Sequence, residues 1–373
     1  METVKHVLIR ADGNAAVAMG HVMRCLTIAD ALTELHMKVT FVTAGDDAAD
    51  LIESRGYESQ ILHSNYTETE AELPSFKKLI GELKPDFILV DTYYATPAYF
   101  EALKGVCPIG MIDDFGDRAF PVDVLFNFQC YGTETDYPLL YGKAGVQVPS
   151  LILTGAGYLP LRSEYQSAAK SRRSKEVRDV LIMTGGGDPL SVAEAIAKEL
   201  LITQKEDQKS NIRYHFLCGQ FSKSLPILKR LTEVNPHLLL HTWVDAFWDF
   251  IKDFDLAITA SGGTIYELCA VELPCVTYTF ARNQWELCRW FAEHAGIPTV
   301  GDVVLRTGEA GAIASEDDRV DPAKVRELVG LCHELEHDVD RRDAIRSGMQ
   351  TVTDGKGAMR LANELATFLE KRA

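Results

Sequence analysis

The chemistry-bearing residues of this chain gather in short polar stretches that follow apolar runs. His21 comes directly after Gly20 in RADGNAAVAMGHVMR, where a helix is expected to begin. At a helix N-terminus the positive end of the dipole disfavours an imidazolium, so a neutral histidine, competent as a general base, is expected. A histidine that merely caps or packs is the alternative. Asp12, Asp91, Asp113, Asp114 and Glu267 also follow apolar runs. Asp113 and Asp114 are adjacent on a turn and rarely would both face one ion; one facing the site and one capping is expected. Two glycine clusters, Gly185-Gly186-Gly187 and Ser261-Gly262-Gly263, each lie between an apolar run and a helical pattern. Glycine lets backbone approach phosphate closely, and a helix N-terminus adds amide donors and dipole. Neither cluster is a GxGxxG or a P-loop, so the common dinucleotide and ATP fingerprints fail. Each alone is also an ordinary tight turn; two in one half point to an anionic ligand.

Other signals carry less. His333-Glu334-Leu335-Glu336-His337 has the HExxH spacing of zinc hydrolases. Its helix has an apolar stripe at Val325, Leu328, Cys332, Leu335 and Val339, which puts the histidines beside the stripe among acidic residues. A solvated acidic face, without metal, is expected. No GxSxG and no Ser-His-Asp order is present. Trp243, Phe247 and Trp248 follow the run Leu238–His241; core packing is their expected role, shielding a base the sharper one.

These residues must be positioned by strands and helices, and the chain alternates the two. Apolar runs at Val4–Arg10, Lys38–Thr43, Phe87–Val90, Ile109–Ile112 and Val124–Phe126 read as strands, with a helix at His21–Leu35. The rhythm restarts with Val180–Met183, Arg213–Leu217, Leu238–His241, Leu256–Thr259 and Val276–Thr279. Continuous apolar strands separated by helices imply parallel sheets covered on both faces. In such sheets ligands bind outside the carboxyl ends of the strands, where the polar stretches lie. Between the halves, Ala168–Val180 (AAKSRRSKEVRDV) reads as a solvated connection rather than a phosphate-binding patch.

Length and composition agree. A chain of 373 residues with 46% hydrophobic and 25% charged residues is globular and long enough for two domains. A net charge of −16 and a pI near 5.1 argue against a nucleic-acid or membrane-surface footprint, while a focused anion site remains open. The eight cysteines form no CxxC pair and mostly sit in apolar segments, as reduced buried thiols do. With no apolar segment of membrane-spanning length and no signal peptide, a cytoplasmic location is expected.

Taken together, Met19-Gly20-His21-Val22-Met23-Arg24-Cys25, the Ile112–Asp114 turn, TGGGDP, ASGGTIYE and Arg282-Asn283-Gln284 resemble the PseG family. Its members are UDP-2,4-diacetamido-2,4,6-trideoxy-β-L-altropyranose hydrolases of pseudaminic acid biosynthesis; SpsG-type spore-coat polysaccharide proteins share the pattern. The resemblance runs in order from about Leu8 to Glu286. It implies a GT-B fold similar to MurG, with two Rossmann-like domains whose parallel sheets face across a cleft. The repeated rhythm of strands and helices sets the domains at 1–160 and 176–355, with a C-terminal helix at 356–373 expected to pack back on the first. The second domain would hold UDP: Ser261, Gly262, Gly263 and Thr264 at the diphosphate, Glu267 at the ribose, Trp243 and Val244 at the uracil. Gly185 and Gly186 would add to the nucleotide site, and Asn283 and Gln284 would approach the diphosphate or sugar. In the first domain His21 would be the general base, with Asp12, Arg10 and Tyr93 near the sugar.

The implied reaction is hydrolysis of the UDP-sugar by water, with no cofactor and no metal. The implied partner is the small-molecule substrate, with association with other sugar-biosynthesis enzymes as a further expectation. Two other functions keep the same site: a glycosyltransferase with a non-water acceptor, and a catalytically silent nucleotide-sugar-binding subunit. The chain departs from its relatives at Ala15, Ala16 and Ala18, and at Asp91-Thr92-Tyr93, where many have a central histidine. Those changes bear on the sugar more than on UDP.

Overall fold

The computed structural model describes residues 4–14, 17, 19–184, 188–206, 211–219, 222–308 and 317–372. The chain divides into two compact units: Met1–Ser163 together with Gly355–Ala373, and Glu164–Asp354.

The first unit begins with β1 (His6–Ala11), α1 (Gly20–Glu34), β2 (Lys38–Thr43), α2 (Ala49–Ser54) and β3 (Glu58–Ile61). It continues with α3 (Thr69–Leu83), β4 (Phe87–Asp91), α4 (Pro97–Leu103), β5 (Ile109–Ile112), β6 (Val124–Asn127), α5 (Tyr137–Ala144) and β7 (Leu151–Thr154). The strands form one parallel sheet in the order β3-β2-β1-β4-β5-β6-β7. Its central strands are buried on both faces, Val7, Leu8 and Ile9 beside Ile88, Leu89 and Val90. That burial is why they read as unbroken apolar runs.

Connections leave β1 and β4 in opposite directions, which makes their carboxyl ends the switch point of the sheet. Arg10, near the end of β1, is fully buried. Its Nε and Nη2 donate to the two carboxylate oxygens of Glu72 on α3, at 2.8 and 2.7 Å, and Tyr99 Oη donates to Glu72 at 2.9 Å. A buried charge persists only when paired and hydrogen-bonded, so this cluster ties β1, α3 and α4 together.

The second unit contains β8 (Asp179–Met183), α6 (Val192–Glu206), β9 (Arg213–Leu217), α7 (Leu225–Val234), β10 (Leu238–His241) and α8 (Phe247–Phe250). Then come β11 (Leu256–Ala260), α9 (Thr264–Val271), β12 (Cys275–Thr279), α10 (Trp285–His294), β13 (Thr299–Asp302), α11 (Pro322–His337) and α12 (Val339–Met349). Its sheet, β10-β9-β8-β11-β12-β13, is again parallel, with the switch point at β8 and β11. The last helix, α13 (Gly357–Glu370), belongs to the first unit and packs on α1 through a face that includes Leu361, Leu365 and Leu369.

Two readings of the sequence are sharpened by the structure. The basic stretch Ala168–Val180 is solvated as expected, with Lys170, Arg172, Arg173, Lys175 and Arg178 all exposed, yet it is not loose. Arg172 pairs with Asp179 and Asp255, and Arg173 with Glu272, at 2.7–3.4 Å. Arg342 and Arg346 of α12 also donate to the carbonyls of Ser174, Lys175 and Arg172. Carboxylates distant in sequence meet the basic residues, and a composition count cannot register that pairing. Nor is the HExxH face solvated throughout. Glu336 is buried and accepts from Tyr214 Oη at 2.9 Å; His333 Nδ1 contacts it at 2.8 Å, and His333 Nε2 lies 3.1 Å from Thr203 Oγ1. Both nitrogens of His333 are engaged within the fold, while His337 is exposed. All eight cysteines are free thiols, buried except for the half-buried Cys107. Among the described residues, no helix is long and apolar enough to cross a membrane.

Candidate functional site

The carboxyl ends of β1 and β4 bring the first-unit candidates onto one hollow. Asp12, His21, Tyr66, Asp91, Tyr93 and Tyr94 line it. It opens to solvent, and the closed space within it is about 10 Å³, room for about one water molecule.

His21 lies in the first turn of α1 and is buried. Its Nδ1 is 2.7 Å from Asp91 Oδ1 at the end of β4. Nδ1 also lies 3.0 Å from Arg24 Nη2. An ionised carboxylate has no proton to give, so Nδ1 must carry the one in the bond to Asp91, and the approach of Arg24 is a contact between two donors converging on Oδ1. That assignment leaves Nε2 as the basic nitrogen. Burial pushes the Asp91 carboxyl up, but the guanidinium of Arg24 and the ring of His21 outweigh it and hold Asp91 well below the usual carboxylate range.

The Tyr93 ring meets the His21 ring edge-on, centroids 4.5 Å apart, and its other side meets Phe115 at 5.4 Å. Burial, then the negative charge of Asp114, raises the Tyr93 phenol well above its ordinary value, so it stays protonated as a donor. Asp12 is more committed than its position in the sequence suggests. Its Oδ2 accepts from Arg10 Nη1 at 2.6 Å and its Oδ1 from the Ala44 amide at 2.8 Å. The adjacent carboxylates divide their work: Asp113 accepts from the amides of Phe115 and Gly116 and from Tyr137, while Asp114 pairs with Arg24.

In the second unit the Ser261–Thr264 loop joins β11 to α9. No side chain caps α9, and a Cβ built at Gly262 or Gly263 would meet nothing within 4 Å. Ser261 is fully buried, and its hydroxyl has no hydrogen-bond partner. Tyr278 Oη and Thr279 Oγ1 at the end of β12, and Oδ1 of the half-buried Asn283 in the turn beyond it, are likewise buried atoms without a hydrogen-bond partner. Buried polar atoms left without partners are rare, and so many at adjoining strand ends fit a polar ligand or ordered water. Gln284 is engaged in holding its own turn, accepting from the Phe280 amide at 2.8 Å. Glu267 accepts from Tyr165 Oη at 2.8 Å. Trp243 is 79% exposed, with Nε1 donating to Asp245, so it is not the core residue expected; Val244 beside it is half-buried. Gly185 and Gly186 lie outside the described residues. Among the described residues no group of three His, Cys, Asp or Glu is arranged to hold a metal.

Comparison with known proteins places the architecture. No family model matches the chain. Over 97% of its length it superposes on MurG of Acinetobacter baumannii, with a TM-score of 0.65, 14% identity and 99% of that chain covered. An S. aureus MnaA–UDP co-structure gives a TM-score of 0.65 at 15% identity, covering 98% of this chain and 97% of that one. CalG4, the calicheamicin glycosyltransferase, gives 0.60 at 17%, covering the whole of both. The chain has the GT-B fold.

Among curated sequences this GT-B chain is 23% identical to the spore coat polysaccharide biosynthesis protein SpsG of Bacillus subtilis, over 98% of its own length and 99% of that protein. It is 23% identical to the UDP-2,4-diacetamido-2,4,6-trideoxy-β-L-altropyranose hydrolase of Campylobacter jejuni, over 77% of its length and 96% of the hydrolase. An uncharacterized protein of Methanocaldococcus jannaschii is 24% identical over 72% of the chain; the match spans about half of that relative, 54%. The resemblance read from the motifs is thus found over whole sequences as well.

Sequence reasoning left the partners of His21 without a role. Arg24 stands three residues after it on the same helix face, a spacing that signals contact. Asp91 offered only its place after a strand. Tyr66, Tyr94 and Phe115 carried no signal at all.

Proposed function

We propose that this chain is a UDP-sugar hydrolase of polysaccharide or pseudaminic-acid-type biosynthesis, releasing UDP and a free 2,4-diacetamido-2,4,6-trideoxy sugar. The observation that carries the reading is His21, whose Nδ1–H bond to Asp91 leaves Nε2 basic at the hollow formed by the carboxyl ends of β1 and β4. The similarity to the Campylobacter hydrolase and to SpsG supports a nucleotide-sugar enzyme. The uncapped N-terminus of α9 with the unpartnered Ser261 hydroxyl supports diphosphate binding by the second unit.

In this reading Nε2 of His21 takes a proton from water as its oxygen bonds to the anomeric carbon. The bond from that carbon to the diphosphate oxygen breaks, and its electron pair leaves with UDP. Amides of the Ser261–Thr264 loop and the dipole of α9 meet the developing charge. Asn283 and Gln284 approach the diphosphate or sugar, Glu267 takes the ribose hydroxyls, and Trp243 with Val244 takes the uracil. Tyr93 and Asp12 border the sugar, and no cofactor takes part.

Incubation with the UDP-diacetamido sugar should release UDP and free sugar in equal amounts. His21→Ala should lower turnover by about 10²–10⁴-fold while UDP affinity is unchanged. Normal turnover in that variant would remove the base from the mechanism. The fold shared with a glycosyltransferase favours one alternative, a transferase with a non-water acceptor. Added polysaccharide that becomes glycosylated, with little free sugar formed, would establish that reading instead.

A further inference from the structure

Next to the base, three side chains of α1 close on a single carboxylate, and the hydrolytic reading uses only the bond from His21, giving Arg24, Cys25 and Asp114 no role. His21, Arg24 and Cys25 stand at i, i+3 and i+4, on one face of the helix. Asp91 Oδ1 accepts from His21 Nδ1 at 2.7 Å and from Arg24 Nη2 at 2.5 Å; Oδ2 accepts from Arg24 Nε at 2.6 Å and from Cys25 Sγ at 3.4 Å. The remaining guanidinium nitrogen, Nη1, donates to both oxygens of Asp114, at 3.0 and 2.9 Å. Asp114 is braced in turn: Gln129 Nε2 donates to its carboxylate at 2.9 Å and Tyr131 Oη to its carbonyl at 2.7 Å. The guanidinium carbon lies 5.3 Å from the centre of the Phe128 ring. The Asp91 side chain is 1% exposed, Asp114 7% and Arg24 16%, so water competes little for these bonds.

We propose that Arg24, braced by Asp114, is a positioning residue that fixes Asp91 as an acceptor and so locks His21 in its Nδ1–H tautomer. The proposal rests on His21 as the base, and the geometry argues it in three steps. Every contact to Asp91 is a donor, so the carboxylate can only receive the proton on Nδ1. The fork of Arg24 takes one bond to each Asp91 oxygen, which stops the carboxylate rotating away from the ring. A lysine has no such fork and would leave that rotation free. Asp114 holds the third nitrogen, so the guanidinium plane is set from outside the dyad. An amide at position 91 would present one oxygen and one NH₂. Oδ1 serves both His21 and Arg24 Nη2, and Oδ2 serves Arg24 Nε, so one guanidinium nitrogen meets the NH₂ in either orientation; with the oxygen kept by Nε, the NH₂ faces His21, donates to Nδ1 and moves the ring proton to Nε2, the nitrogen that has to accept.

The test is a ¹⁵N-histidine NMR spectrum of the full-length protein, with His21 assigned by its loss in His21→Ala. Wild type should show one neutral tautomer, protonated at Nδ1. Asp91→Asn should shift the proton to Nε2, and Arg24→Gln and Asp114→Asn should give mixed tautomers. An Nε2–H ring in the wild type, or an unchanged Nδ1–H ring in both Asp91→Asn and Arg24→Gln, would overturn the lock. Where Arg24→Gln fails to fold by circular dichroism, Arg24→Lys and Asp114→Asn decide by the same criterion. In turnover, Asp114→Asn should lower kcat by about tenfold or more with KM within about twofold; a change in KM alone would contradict positioning. Because the spectrum needs no substrate, a locked tautomer in a chain that hydrolyses no UDP-sugar would defeat the functional reading and leave the lock standing.

Discussion

Asp91 sets the acid limit of the first unit. Burial would raise its carboxyl, yet Arg24 and His21 hold it well below the ~3.9 of an unfolded aspartate. A carboxyl depressed on folding contributes stability that is present above the unfolded value and is lost as pH falls through the folded one. Thermal melts from pH 7 down to pH 3 should therefore show wild type well above Asp91→Asn at neutral pH, with the gap narrowing below about pH 4. A constant gap would mean that the Asp91 contacts carry no charge-dependent stability. At this scale the sequence was a partial guide. His21 stood out because a glycine and a helical pattern flank it. Its dependence on Asp91, seventy positions away, follows from strand order and is invisible in spacing. Trp243 misled because size and aromaticity were read as burial, while the chain leaves it on the surface.

Among the elements, the central strands were legible because burial on both faces demands unbroken apolar residues. The strands that escaped notice are mostly edges. β3 (ESQI) is half exposed, and β13 (TVGD) contains Gly301 and pairs with β12 through a register shift at Thr277 and Thr279. An edge needs little hydrophobic patterning, so periodicity has nothing to detect. The helix α13 shows the opposite case, a clear amphipathic stripe whose destination only the fold reveals. It packs on α1, the helix that carries His21 and Arg24. Leu365 is fully buried in that contact face, and Leu365→Ala should cost about 2–5 kcal/mol by chemical denaturation of the first unit. Gly357 begins α13 directly against the backbone of Leu159, so Gly357→Ala should lower the melting temperature as well. Wild-type stability in both variants would mean that α13 adds nothing to the unit.

For the whole molecule, the −16 charge fits a ligand met by backbone rather than by lysines. Only one basic residue, Arg282, occurs between Leu256 and Glu286, the stretch that holds the proposed diphosphate loop. With amides and a helix dipole facing the phosphates, turnover after dialysis against EDTA should stay within about twofold of the untreated rate. A loss restored by a divalent cation would place a metal in the reaction. The two-unit division has a different consequence, one of timing. Because the first unit takes back residues 355–372, a ribosome must finish the entire second unit before α13 is available to cover α1. Synthesis from the N-terminus ordinarily lets domains mature in order. Here the order is inverted: the second unit can complete itself first, and the helix bearing the proposed base acquires its cover only after residues 164–354 have emerged.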